Sequence, residues 1–260
     1  MSSLALNTVS NLPADVDVAV DPAAAGAAVA DNAPRHDLYV SIHKALRHFM
    51  LDTLMRVGAL EVADEAEVEA VLGQVHALLA QCRAHIAHEN AFVHPALEAA
   101  RAGTSARIAH EHDEHHEAID ALHEDAHQLR AAPLERRPVL ALRLYRHLAL
   151  FVADNFHHMH HEETVHNAAL WAHYADAELE ALHGRLLASL PPHETFAVSR
   201  WMLPAMAPRE RAGMLAGVRA TAPAGVFEAL VDHVRPHLDA TAWSRLAPAI
   251  GMDCVVCLAA

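Results

Sequence analysis

Cysteine is scarce: the 260 residues hold three, Cys82, Cys254 and Cys257. That is too few for a disulfide framework and points to a reducing compartment. Aromatic residues make up only 5%. Ala and Leu carry most of the apolar share, which favours helices over sheets. Basic side chains are also in short supply, with 19 Lys and Arg against 33 Asp and Glu, a formal net charge of −14. A nucleic-acid or anionic-membrane partner needs a basic surface, so neither is expected. No uninterrupted apolar run approaches the roughly 18–20 residues that cross a bilayer. The opening residues lack a basic n-region, and Asp15, Asp17 and Asp21 interrupt their apolar positions, so no signal peptide is expected. These readings together give a cytoplasmic protein.

Histidine, by contrast, is abundant. Of 24 residues, 20 lie between His36 and His173. The gradient sets a chemically distinct region apart from a plainer C-terminal part. Residues 1–34, with Pro13, Pro22 and Pro34 and no sustained period, read as a disordered leader. Helical patterns follow over 36–60, 64–100, 104–131 and 134–172, punctuated by Gly58 and Asp64, by Gly103 and Thr104, and by Pro133. Long helices with short connections predict an all-α, up-down-up-down four-helix bundle over residues 35–174. Prolines then recur from Pro191 to Pro248. Residues 175–251 read as a smaller appendage of four or five short helices, with Trp201, Met202, Leu203 and Phe227 as its core, and 252–260 as a tail. Cys254-Val-Val-Cys257 has redox-pair spacing, but no second pair or βαβ pattern accompanies it.

Three stretches place potential ligands one helical turn apart: His85-xxx-Glu89, His112-xxx-His116 and His158-xxx-Glu162, with His43 upstream. Spacing alone selects poorly, because His48/Asp52, His94/Glu98, His110/Glu114, His116/Asp120, His123/His127 and His157/His161 share it. Apolar seams are the better filter, since a buried site lies where the core lies. One seam runs Val71, Val75, Leu78, Cys82, His85, Glu89, Phe92, Ala96; another runs Leu144, Leu148, Phe151, Asn155, His158, Glu162, Val165, Ala169. An ionised Glu on such a stripe is costly unless paired or bound to a metal. On the third helix the stripe Ile108, His112, His115, Ile119, Leu122 selects His115, while a slightly rotated one recovers His116. On the first, Tyr39, His43, Leu46, Met50 and Val57 share a face. The histidines His110, His123, His157, His160, His161 and His166 are expected at the surface. Asn155 reads either as a partner of a ligand or as bonded to local backbone.

At Ile42-His43-Lys44, at His85-Ile-Ala-His-Glu89-Asn-Ala-Phe-Val-His-Pro95-Ala-Leu97, at Glu111-His112 and at His158-Met-His-His-Glu162-Glu163, the chain resembles the hemerythrin-like HHE cation-binding family. The resemblance covers roughly residues 36–173. It implies His43, His85, Glu89, His112, His116, His158 and Glu162 as ligands to two non-haem iron ions. Asn90 stands where the family often has a second Glu, and Glu162 and Glu163 both stand near its last carboxylate position. Imidazole and carboxylate ligands suit iron, manganese or zinc. The implied function is binding or sensing of dioxygen or a related small oxidant rather than enzymatic turnover. A di-iron peroxidase or oxidase, and an iron- or zinc-buffering protein, are the alternatives; a protein partner stays open.

Overall fold

The computed structural model describes residues 35–252, and within them it is helical. The expected leader, and the tail that carries Cys254 and Cys257, lie outside the described residues.

The first long helix is α1 (Val40–Gly58). The second begins as α2 (Glu65–His88), passes through a π turn at Glu89–Val93 and continues as α3 (His94–Ala100). Asp64 starts it by accepting hydrogen bonds from the backbone N–H groups of Ala66 and Glu67, two donors that no intrahelical carbonyl can satisfy. Next comes α4 (Ala106–Ala131). The α3–α4 connection is tied by Glu98, which accepts from the N–H of Gly103 (2.7 Å), the N–H of Ser105 (3.0 Å) and the Ser105 hydroxyl (2.7 Å). Gly103 has φ of +83°, a conformation that favours glycine. The fourth long stretch is α5 (Arg137–His161), a second π turn at Glu162–His166, and α6 (Asn167–His173).

Helix α1 packs on α2 and α5, and α4 packs on the same two helices, so these four surround one core. Leu46, Met50, Leu72, Val75, Leu79, Ile119, Leu144 and Leu148 are fully enclosed in it. A smaller cluster of Tyr39, Val93, Leu97 and Leu170 lies further along the same stretches, joined by Leu179 of the C-terminal part. On α1, α2–α3 and α5–α6 the histidines and glutamates of interest fall between the residues of these two clusters.

Both π turns shift the seams. Beyond Glu89 the buried residues are Val93, His94 and Leu97, while the expected Phe92 and Ala96 are only half-buried. Beyond Glu162 they are His166, Asn167 and Leu170, while Val165 is 48% exposed. One extra residue in a turn rotates everything after it by about 100°. This carries His166, expected at the surface, fully inside; His123 and His161 are half-buried rather than exposed.

The C-terminal part forms α7 (Asp176–Ser189), α8 (Pro192–Ala205), α9 (Pro208–Thr221), α10 (Val226–Val234) and α11 (Ala240–Ala249). Pro192 and Pro208 occupy the first turns of their helices, where a missing N–H costs nothing. Leu203 and Phe227 join Leu215, Leu230 and Val231 in a separate core, with Met202 partly buried against it. Trp201 departs from the expectation. It leaves that core and stacks on Phe49 of α1, ring centroids 4.0 Å apart at 11°. His48 donates from Nδ1 to the Trp201 carbonyl at 3.1 Å, and Lys44 meets both carboxylate oxygens of Glu210 at 2.7–2.8 Å. Helix α8 is thereby docked along α1. Among the described residues, no helix is long and apolar enough to cross a membrane.

Candidate metal centre

Six of the seven expected ligands come together. His43 on α1, His85 on α2 and both glutamates Glu89 and Glu162 form one buried group; His112 on α4, His158 on α5 and the same two glutamates form a second. In each group the candidate ligand atoms lie within 4.8 Å of one another. The two halves follow one pattern: a helix that gives one histidine to a group, then a helix with His-xxx-Glu whose Glu opens a π turn.

The two carboxylates are shared atom by atom. Glu89 turns Oε1 toward Nε2 of His85 (3.2 Å) and of His43 (3.9 Å), and Oε2 toward Nε2 of His112 (3.3 Å). Glu162 turns Oε2 toward Nε2 of His43 (3.4 Å) and Oε1 toward Nε2 of His158 (3.4 Å). Nε2 of His112 and of His158 stand 3.2 Å apart. His43, Glu89, His112, His158 and Glu162 are all at most 4% exposed. Nε2 of His43 and His85 and all four carboxylate oxygens are buried without a hydrogen-bond partner among the described residues. Buried polar atoms normally find partners, so a convergent set of six orphans needs an explanation. Imidazole nitrogens and carboxylate oxygens, converging in two groups that share both glutamates, form a donor set able to hold metal.

The outward-facing nitrogens are held. Nδ1 of His43 contacts Glu163 (3.0 Å), which also pairs with Arg47 (2.5 and 3.0 Å). Nδ1 of His158 contacts Glu111 (3.0 Å), which pairs with Arg107 (2.8 Å). Nδ1 of His112 contacts the Asn90 side-chain oxygen at 2.9 Å. An acceptor at Nδ1 places the ring proton there and leaves the Nε2 lone pair free for a metal. These three partners each neighbour a ligand in sequence: Asn90 follows Glu89, Glu163 follows Glu162, and Glu111 precedes His112. They serve the ligand on a neighbouring helix, so the signal was present in the motif text but unreadable without the helix register. Asn155 takes the local alternative and donates to the Phe151 carbonyl at 2.8 Å.

His116 lies outside both groups. It is half-buried on α4, which stays regular, and the buried face of that helix carries His112 and His115. His115 is not in either group, but its ring centroid stands 4.8 Å from that of His158.

The electrostatics reflect crowding of like and unlike charge. Burial lowers the proton affinity of His85 to a pKa of about 3, with His43, His158 and His112 adding to the effect against Glu89. Burial acts on His43 in the same direction, but Glu163, Glu89 and Glu162 outweigh it and raise its pKa to about 9. Burial raises Glu162, and the facing Glu89 carboxylate raises it further. Burial would raise Glu89 also, yet His85, His112 and His43 hold it well below the ordinary carboxylate range. Two carboxylates and four imidazoles thus compete for the same few protons in a water-poor space, an arrangement that a multivalent cation relieves.

Neither a scan against protein-family models nor searches of curated proteins and of solved structures match this chain to a known protein.

Proposed function

We propose that this chain is a non-haem di-iron protein of the hemerythrin type, built on a four-helix bundle of α1, α2–α3, α4 and α5–α6, and that it binds or senses dioxygen or a related small oxidant. The sharing of Glu89 and Glu162 between two histidine pairs carries the reading. A carboxylate that offers one oxygen to each group suits two adjacent ions, because a single ion would leave half of the set unsatisfied. His43, His85, His112 and His158 would supply two imidazoles to each ion, and Glu89 and Glu162 would span them. A pair of ferrous ions so held supplies two electrons to a small oxidant.

The chain itself contributes position, charge and dryness. Glu163 with Arg47, and Glu111 with Arg107, orient one histidine of each pair and increase its basicity. Asn90 orients His112 without adding charge. The apolar clusters on either side exclude bulk water, which strengthens the electrostatics of the site. A shell rich in histidine and poor in carboxylate favours binding over oxygen activation, in contrast to four-carboxylate di-iron oxidases. One observation favours the peroxidase or oxidase alternative. His94 stacks on His112 with ring centroids 5.0 Å apart, and Nε2 of both His94 and His166 is buried without a hydrogen-bond partner among the described residues. Such groups could move protons during turnover.

Metal analysis combined with an anaerobic-to-aerobic absorption titration tests the proposal. The reading expects close to two irons per chain and near-UV charge-transfer bands that disappear on reduction and return with air. Protein purified from iron-replete cells without iron would refute it.

A further inference from the structure

Tyr39 lies one turn before His43 and is 2% exposed. Its ring centroid is 5.1 Å from that of His43. Its hydroxyl lies 3.2 Å from Nδ1 of His166, a residue that is itself fully buried. A buried phenol needs an acceptor for its proton. Nδ1 of His166 fills that role, so we assign the proton of the neutral imidazole to Nε2. The π turn at Glu162–His166 makes the contact possible, since a regular helix would have turned Val165 inward instead. The other residues of the Tyr39 cluster are Val93, Leu97, Leu170 and Leu179, which Phe would pack against equally well. The hydroxyl and its histidine therefore represent a polar pair retained in apolar surroundings at a desolvation cost.

We propose that Tyr39 is a one-electron donor to the metal centre and that His166 receives its proton when a peroxide oxidises that centre. The inference rests on the redox-active metal pair proposed above. Hydrogen peroxide is the oxidant: it takes two electrons from the air-oxidised centre, its O–O bond breaks, and with two protons from solvent it leaves as two waters. Tyr39 then returns one electron to the centre, its phenolic O–H bond breaks, and an N–H bond forms at Nδ1 of His166. The products are a neutral phenoxyl radical and an imidazolium with protons on both nitrogens; the centre is reduced by one electron. Nδ1 of His166 is the acceptor within hydrogen-bond distance of the Tyr39 hydroxyl among the described residues, so the two residues act as one unit. The ring of half-buried His161 lies 5.3 Å from that of His166, centroid to centroid.

The test uses the full chain with its iron counted beforehand, reacted with hydrogen peroxide and freeze-quenched for electron paramagnetic resonance. A tyrosyl signal is expected that narrows when ring-deuterated tyrosine is incorporated. The chain holds three tyrosines. Tyr39→Phe should lose the signal at unchanged iron content, whereas Tyr145→Phe and Tyr174→Phe keep it. His166→Phe should cut the radical's yield and lifetime. In the unsubstituted protein an exchangeable-proton coupling on the radical reads the His166 hydrogen bond without any variant. Full iron with no tyrosyl signal, a signal that survives Tyr39→Phe, or a radical without that coupling overturns this inference alone. A chain that retains no iron overturns it together with the metal reading.

Discussion

Glu162→Gln should have opposite effects on the metal-free and metal-loaded chain. In the metal-free chain Glu162 is wholly buried, both oxygens lack hydrogen-bond partners among the described residues, and Glu89 faces it. Burial and that neighbour raise its pKa above the ordinary value of 4.5. A raised carboxyl favours the folded state only while it is protonated. Its contribution is therefore complete below about pH 4.5 and is lost as pH rises through the folded value. At pH 7.5 an amide removes the charge and adds a donor that can reach the remaining carboxylate. Removing one of two facing buried carboxylates should stabilise the metal-free chain by about 1 kcal/mol, a gain held down because His43 and His158 already offset part of that charge. The same change replaces one of the two Glu162 oxygens by an amide nitrogen, a poor metal ligand, so one of the two groups loses a candidate ligand atom. A ligand present at a thousand times its Kd stabilises by about 4 kcal/mol per site, and most of this should vanish in the variant. Urea unfolding of chelator-treated protein, and of protein with two equivalents of ferrous iron under anaerobic conditions, gives both numbers. The reasoning fails if the metal-free variant is less stable than the parent and its midpoint moves with iron as the parent's does.

Other expectations follow from particular contacts. Glu163→Gln takes the charge from the acceptor at Nδ1 of His43 and should weaken metal binding about 10–100-fold, read by competition with a chromophoric chelator. His116→Ala should leave metal stoichiometry unchanged, whereas His112→Ala should lower it, both by elemental analysis. Cys82 is fully buried and burial pushes its thiol up to about 12, so it should resist alkylation at pH 8 until the chain unfolds, as peptide mass spectrometry would show. By the same linkage, its share of stability is intact below about pH 9 and declines above it, because the unfolded thiol ionises first. Trp201→Ala should cost about 3–5 kcal/mol in thermal or urea unfolding, since it empties the space against Phe49 in the core of the long helices.

The seams were legible up to the two glutamates. Val71 to Glu89 and Leu144 to Glu162 keep a regular helical repeat, and the position of His43 between Tyr39 and Leu46 reads the same way. Beyond them the pattern misleads, because a π turn adds one residue without a compositional signature; Val165 and His166 exchange sides on that account. The third helix was ambiguous between adjacent residues, and only packing against α2 and α5 turns His112 and His115 inward and leaves His116 at the margin. The acceptors Asn90, Glu111 and Glu163 depend on how neighbouring helices slide past each other, which no single-helix periodicity records. Trp201 illustrates the same limit on a larger scale. Its local pattern suits the C-terminal core, but docking of α8 on α1 directs it to a different one.

The central claim is that two metal ions share Glu89 and Glu162, and magnetic measurement of the iron-loaded chain tests it most directly. Ions joined by common carboxylates couple through them. The account predicts about two irons per chain and, after oxidation in air, a Mössbauer spectrum in applied field with the diamagnetic pattern of a coupled ferric pair. One iron per chain, or two irons with the magnetic splitting of isolated ferric ions, would contradict it.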